Sequence, residues 1–246
     1  MSARASWPDP GTVAAWYAAT DALLPEAARR ARAQSLLTSA DRVRYDAFRH
    51  DADRTMFLAG RLMARTLVAR ALHVDPGAWQ WREGPHGRPE ICAPATQLSF
   101  SLAHSAGLVV CALAHGREVG VDVEDRERRP VDPQVVSRYC APDEVRDIEA
   151  QGAHGWHDRF LIYWTLKEAY LKARGLGITL PLAQISFAFD AAGPRVRFLE
   201  SLAGTDDRWT FHVAQPTPRH VLAVAASRAD DTRPSIAVAP FTSAMV

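Results

Sequence analysis

Three carboxylates and one lysine have the types and the spacing to hold a cation and move a proton. Asp122 and Glu124 lie in Gly120-Val-Asp-Val-Glu124, and Glu168 and Lys172 lie in Trp164-Thr-Leu-Lys-Glu-Ala-Tyr-Leu-Lys172. On a strand, residues two apart face the same side, so Asp122 and Glu124 project together while Val121 and Val123 turn to the core. Two such carboxylates repel unless a cation or a cationic side chain lies between them. Magnesium needs few protein oxygens and completes its shell with water and phosphate oxygens. On a helix, Glu168 and Lys172 are neighbours one turn apart, and Glu168 becomes a third carboxylate if that helix packs beside the strand. Each pattern has a plainer reading too: a strand face with two solvated acids, and a surface Glu–Lys pair of little energetic weight.

Composition sharpens the choice. Of 29 basic residues only Lys167 and Lys172 are lysine, and asparagine is absent. An ammonium is a compact point charge with a tunable pKa, so two lysines kept in one stretch mark places where a guanidinium would not serve. His104 follows an apolar strand at the tip of a turn, a good place to meet an anion. Arg88 stands in the loop Gly84-Pro-His-Gly-Arg-Pro89. Taken singly, a lone histidine is more often structural and a loop arginine more often solvated. Gly84 and Gly87 do not make a P-loop, because the Lys-Ser/Thr end is missing.

The elements that must position these residues follow from periodicity. Ile162, Leu166, Ala169 and Ala173 recur at helical spacing, Trp164, Glu168 and Lys172 share another face, and Gly175, Gly177 and Pro181 stop the helix, which spans about 157–174. Upstream, residues 12–20 read as a strand or a short helix, 25–36 as helix, and Thr38-Ser-Ala-Asp41 as a helix start before 42–48. A long helix runs over 51–73. Leu98, Phe100 and Leu102 alternate with serines, 108–114 is a buried-strand run, and 118–124 is the next strand. Short helices over 133–150 precede the long one, and strands follow at 185–189, 195–199, 209–214 and 221–226. Helices, a long helix, then antiparallel strands occur in both halves, without a residue-level repeat. The tail from Ala229 has no clear periodicity.

The 246 residues, 48% hydrophobic and 23% charged, suit a globular protein with a real core. A net charge of +1 argues against nucleic-acid binding by bulk charge. The N-terminus lacks a signal peptide's apolar run, and no stretch has a membrane span's length. Cys92, Cys111 and Cys140 fit neither a disulfide framework nor a zinc site and read as cytosolic thiols.

Together these stretches resemble the Sfp-type 4′-phosphopantetheinyl transferases, in the branch with Trp and Lys-Glu-Ala wording. The resemblance rests on Gly120–Glu124, on Trp164–Lys172 some 40 residues later, on Gly87-Arg88-Pro89, and in part on Ser101-Leu-Ala-His104-Ser105, where Ser101 and Ala103 depart from the family's Asn and Ser. It spans about residues 38–188. It implies an α+β fold of two similar lobes in a pseudo-dimer, each with a long helix on a small antiparallel sheet and the active site between them. The boundary falls near 117, giving lobes 1–117 and 118–246. The implied reaction moves the phosphopantetheine arm of coenzyme A (CoA) onto a serine of an apo acyl or peptidyl carrier protein and releases adenosine 3′,5′-bisphosphate. By correspondence Asp122, Glu124 and Glu168 hold Mg²⁺. Glu168 is the base, and Lys172 stabilises the pyrophosphate and the leaving phosphate. His104, Arg88, Arg42 and Arg54 surround the adenosine 3′-phosphate, and Gly87, Pro89, Ser101 and Ser105 belong to the CoA-binding loops. Glu144 matches a further family acid. The expected protein is a cytoplasmic monomer with no nucleic-acid or membrane partner. The residues do not choose among carriers of fatty-acid, polyketide and nonribosomal-peptide synthesis. A Mg²⁺-dependent nuclease and a non-catalytic CoA- or carrier-binding module are the alternatives.

Overall fold

The computed structural model describes residues 8–9, 11–24, 27–177, 179–199, 208–229, 232–242 and 245. The N-terminal stretch read for a leader falls mostly outside them, as do residues 25–26 of the expected helix 25–36. In chain order the elements are β1 (Thr12–Ala19), α1 (Thr20–Leu23), α2 (Ala27–Ser35), α3 (Ser39–Ala47), α4 (Asp51–Leu72), β2 (Gln80–Glu83), β3 (Pro89–Ala93), β4 (Leu98–Ser105), β5 (Leu108–His115) and β6 (Val119–Asp125). Then come α5 (Pro133–Tyr139), α6 (Pro142–Ala150), α7 (Gly152–Arg174), β7 (Ile185–Asp190), β8 (Gly193–Phe198), β9 (Trp209–Thr217), β10 (His220–Ser227) and β11 (Ser235–Pro240). This is a mixed α+β fold with small sheets. The ambiguous stretch 12–20 is strand β1, and α7 begins five residues before the expected 157.

Two strands read as unbroken apolar runs because both of their faces are buried. On β5, Val109, Cys111 and Leu113 join the core beneath α4, while Leu108, Val110, Ala112 and Ala114 face a second core between sheets. On β10, Val221, Ala223 and Ala225 pack under α7, while Leu222, Val224 and Ala226 enter that same inter-sheet core. The period-2 alternation thus places sheet β11-β1-β5-β4 against sheet β6-β10-β9, with α4 outside the first and α7 outside the second. On β6, Val119, Val121 and Val123 point into the inter-sheet core, which leaves Gly120, Asp122 and Glu124 toward α7.

The tail crosses back over the expected boundary near 117. Its strand β11 returns to the first sheet and pairs parallel with β1, Thr12 opposite Ser235 and Tyr17 opposite Pro240, so that sheet is mixed rather than antiparallel. Ile236 and Val238 pack on the inter-sheet core, and Phe241 is buried beneath α4. A short edge strand that ends on proline carries little periodic signal. The β2–β3 hairpin was also not foreseen. Its turn is the Gly/Pro loop, and Trp81 and Ile91 pack on the α4 core.

Candidate active site

The motif glycine explains how the strand meets the helix. A Cβ on Gly120 would lie 2.0 Å from the carbonyl oxygen of Ala169 and 2.4 Å from the amide nitrogen of Ala173. Only glycine lets β6 touch the backbone of α7, and Ala169 and Ala173 keep the helix side of that contact small. Two residues along the strand, Asp122 meets the helix face that carries Lys172, whose Nζ donates to Asp122 Oδ1 at 2.7 Å. Two further along, Glu124 Oε1 accepts from Trp164 Nε1 at 3.0 Å and Glu124 Oε2 accepts from Arg128 Nη1 at 2.8 Å. The structure therefore brings Asp122, Glu124, Glu168 and Lys172 together, as their spacing predicts.

The electrostatics of this cluster are unsettled in the way a cation would settle. Asp122 is 7% exposed, and its Oδ2 has no hydrogen-bond partner; nor has the buried Oε1 of Glu168. Burial raises the pKa of Asp122 against the pull of Lys172, and burial with the Asp122 charge raises that of Glu124. For Glu168, burial and then the Asp122 charge push the pKa up to about 7, although Lys172 opposes them. Two unpartnered buried carboxylate oxygens, on groups whose charges act on each other, fit a divalent cation that keeps water and phosphate as its other ligands. Among the described residues, no three Asp, Glu, His or Cys side chains are placed to hold a metal ion together.

Glu168 and Lys172 also line a cleft of about 310 Å³ whose opposite wall comes from α4, the β2–β3 hairpin and β4. Gly87, Arg88, Pro89, Ser101 and His104 line it. The hairpin loop closes on the end of α7. Gly175 (φ +64) caps the helix, and a Cβ there would meet Arg88 Cδ at 2.9 Å. Arg88 Nη1 reaches Glu118 Oε1 at 3.3 Å. His104 is open to solvent at the cleft, yet desolvation by its surroundings, and then the charges of Lys172 and Arg44, lower its pKa. An anion bound there would reverse that shift.

Other expected contacts lie elsewhere. Arg42 is exposed, Arg54 pairs with Asp51 at 2.7 Å, and neither lines the cleft. Ser105 is also off the lining, and its carbonyl bonds His220 Nε2 at 3.1 Å. The Ser101 hydroxyl accepts from the Val121 amide at 3.1 Å and so ties β4 to β6 beside Asp122. In place of the two arginines, Arg44 and Arg61 line the cleft. Arg61 is held between the rings of Phe57 and Trp81, 4.4 and 4.3 Å from their centroids, with its Nε on Asp41 at 2.6 Å. Asp41 is itself fixed by capping α3, its carboxylate accepting from the Thr38 amide at 3.2 Å. The usable signal was Phe57 one helical turn before Arg61, which the charge pattern of the helix hid.

Glu144 and Lys167 lie apart from the cleft, fully buried. Lys167 Nζ bonds Glu144 Oε2 at 2.5 Å, the Tyr139 carbonyl at 2.8 Å and the Leu182 carbonyl at 2.9 Å. Glu144 also accepts from the amides of Ala141 and Phe187, both at 2.8 Å. Three tetrahedral donors with three acceptors is an ammonium's geometry, which accounts for this lysine without any catalytic part.

The chain has known relatives. A family profile described as the 4′-phosphopantetheinyl transferase superfamily matches residues 118–225, and one described as 4′-phosphopantetheinyl transferase, N-terminal, matches residues 23–115. A phosphopantetheinyl transferase of Thraustochytrium sp. is 35% identical over 230 residues, 88% of this chain and 79% of that protein. The 4′-phosphopantetheinyl transferase Sfp of Bacillus subtilis is 26% identical over 156 residues, 63% of this chain and 67% of that protein. A solved holo-(acyl-carrier-protein) synthase of Bacillus anthracis, in complex with CoA (3′,5′-ADP), overlays 45% of this chain and 94% of its own at 17% identity and a TM-score of 0.37. Likeness to the Thraustochytrium enzyme along most of both chains, with the profiles on both halves, decides the matter: the chain belongs to the 4′-phosphopantetheinyl transferase family, enzymes that transfer phosphopantetheine from CoA to carrier proteins.

Proposed function

We propose that the cleft beside α7 is where this transferase binds CoA and that Asp122, Glu168 and Lys172 carry the chemistry. The observation that supports this most is the pair of unpartnered buried oxygens, Asp122 Oδ2 and Glu168 Oε1, next to the Lys172 ammonium at the cleft. The CoA pyrophosphate lies against Lys172, with its adenosine 3′-phosphate toward Arg88 and His104. The carrier serine attacks the phosphorus that bears the pantetheine arm, and the bond from that phosphorus to the bridging oxygen breaks. Glu168 takes the serine proton. Lys172 meets the charge that gathers on the departing adenosine 3′,5′-bisphosphate. Asp122 Oδ2 and Glu168 Oε1 would hold Mg²⁺, which when bound neutralises phosphate charge and favours in-line displacement.

In this reading the layers on either side of the inter-sheet core are two lobes of a pseudo-dimer. Each lobe gives one wall of the cleft, so a monomer suffices. Cys92, Cys111 and Cys140 are free, which suits the cytoplasm. Among the described residues no helix is long and apolar enough to cross a membrane. The test is to incubate the protein with CoA, Mg²⁺ and an apo carrier protein and weigh the carrier. A gain of roughly 340 Da, the mass of the arm, is expected. Excess chelator should abolish it, and full transfer in chelator would remove the metal from this account.

A further inference from the structure

The period-2 pattern of β10 sends Leu222, Val224 and Ala226 into the core between the sheets, and His220 stands on that same face at its rim. It is 5% exposed, in a place where the pattern calls for an aliphatic side chain. A buried polar group needs partners, and this ring has two. Nε2 meets the Ser105 carbonyl at 3.1 Å, and Nδ1 meets the Thr217 hydroxyl at 2.7 Å. A carbonyl only accepts, so Nε2 carries the proton. Burial lowers the pKa of the ring, which is therefore uncharged at neutral pH and accepts from Thr217 through Nδ1. The next residue, Arg219, grips Asp125 at the end of β6 through Nε at 2.7 Å and Nη2 at 2.6 Å. His220 thus belongs to the sheet that carries the acids, with Ala223 of its strand opposite Asp122.

Its partner belongs to the other sheet. Ser105 ends β4 and leads into a turn in which Ala106 and Gly107 both have left-handed backbone, φ +44 and +81. Alanine does not hold that conformation cheaply, so the turn depends on outside contacts. The Gly107 carbonyl accepts from the Thr20 amide at 2.8 Å, and the Ser105 carbonyl accepts from His220. On β4, Ala103 packs into the inter-sheet core, so Ser101 and Ser105 share its face, and His104 on the other face lines the cleft. Two bonds between sheets therefore bracket His104: the Val121 amide to the Ser101 hydroxyl three residues before it, and His220 to the Ser105 carbonyl one residue after it. Resting on the CoA-cleft reading above, we propose that His220 is a positioning residue for recognition of the CoA 3′-phosphate. By holding the Ser105 carbonyl it fixes His104 relative to β6, and with it the spacing between the 3′-phosphate end of the cleft and the pyrophosphate end at Lys172.

The probes are CoA and dephospho-CoA, which lacks the 3′-phosphate, and calorimetric titration in Mg²⁺ gives the ratio of their dissociation constants. Wild type should favour CoA at least ~10-fold, and His104→Ala should lose at least ~5-fold of that preference, as loss of a charge-assisted contact does. His220→Leu should lose at least ~3-fold, borne by CoA alone, and the double variant should be no worse than His104→Ala, because two residues acting through one contact are not additive. His220→Gln, whose amide can still donate to the Ser105 carbonyl, should stay within about twofold of wild type. A folded His220→Leu protein with the wild-type ratio, or one that weakens both ligands equally, overturns the proposal. If His220→Leu does not fold, Thr217→Val decides, since it keeps the ring and removes the hydroxyl that orients it: a loss borne by CoA alone supports the proposal, and an unchanged ratio overturns it. A wild type without the preference, or a His104→Ala protein that keeps it, overturns the cleft reading of His104, and this proposal with it.

Discussion

Glu168→Gln should lower turnover at least ~10²-fold while making the metal-free protein more stable at alkaline pH. The first effect follows from removing a positioned base and a metal oxygen, each worth about that factor. The second follows from linkage. Burial and the Asp122 charge raise the folded-state pKa of Glu168 from 4.5 to about 7. A group with a raised folded pKa binds more protons folded than unfolded. Its contribution is therefore most favourable below about pH 4.5 and is lost as pH rises through about 7. Glutamine has the shape without the charge and removes that loss. The side chain is partly open, so the gain is discounted to on the order of 1–2 kcal/mol at pH 8, or roughly 2–5 °C in Tm. Thermal unfolding in chelator at pH 5 and pH 8, beside kcat at saturating CoA, measures both. A variant with near-normal turnover, or one equally destabilised at both pH values, would return Glu168 to an ordinary helix residue.

Lys167→Met should cost about 3–5 kcal/mol, because it leaves Glu144 buried with no cation. Against a typical total stability of about 5–15 kcal/mol, that is enough to move much of the chain to the unfolded state at warm temperatures. Adding Glu144→Gln should recover part of the loss, since removing both members of a buried pair costs less than stranding one. Urea unfolding of wild type, single and double variants gives the three numbers. A single variant within about 1 kcal/mol of wild type contradicts the buried-pair account.

These outcomes separate two lysines that the composition alone could not. Lys167 and Lys172 share a stretch and a rarity, but one helical residue turns a side chain by about 100°. Lys167 beside Glu168 therefore faces away from the cleft into the α5–α6 packing, whereas Lys172, one turn on, shares the face of Glu168. Asp122, Glu168 and Lys172 were legible because periods of 2 and 3.6 state which side chains share a face. The role of Gly120 was not legible, since it depends on how close α7 approaches. Arg42 and Arg54 follow from the resemblance alone, whereas the place of Arg44 and Arg61 on the cleft depends on tertiary packing, which sequence spacing does not show. That the Ser101 hydroxyl accepts from the Val121 amide of the neighbouring strand β6 was likewise not legible, since it depends on how the two sheets meet. The strand β11 was missed because its partner β1 lies more than 200 residues away along the chain.

In the proposed complex the metal and the CoA pyrophosphate lie together at the inner side of one cleft. Anomalous diffraction from a crystal grown with CoA and Mn²⁺ locates both. The account predicts a manganese peak within about 2.1–2.3 Å of Asp122 Oδ2 and Glu168 Oε1, in contact with the pyrophosphate, with Lys172 beside it and the adenosine end toward Arg88 and His104. A manganese peak away from those two oxygens, or CoA ordered outside the cleft, would contradict it.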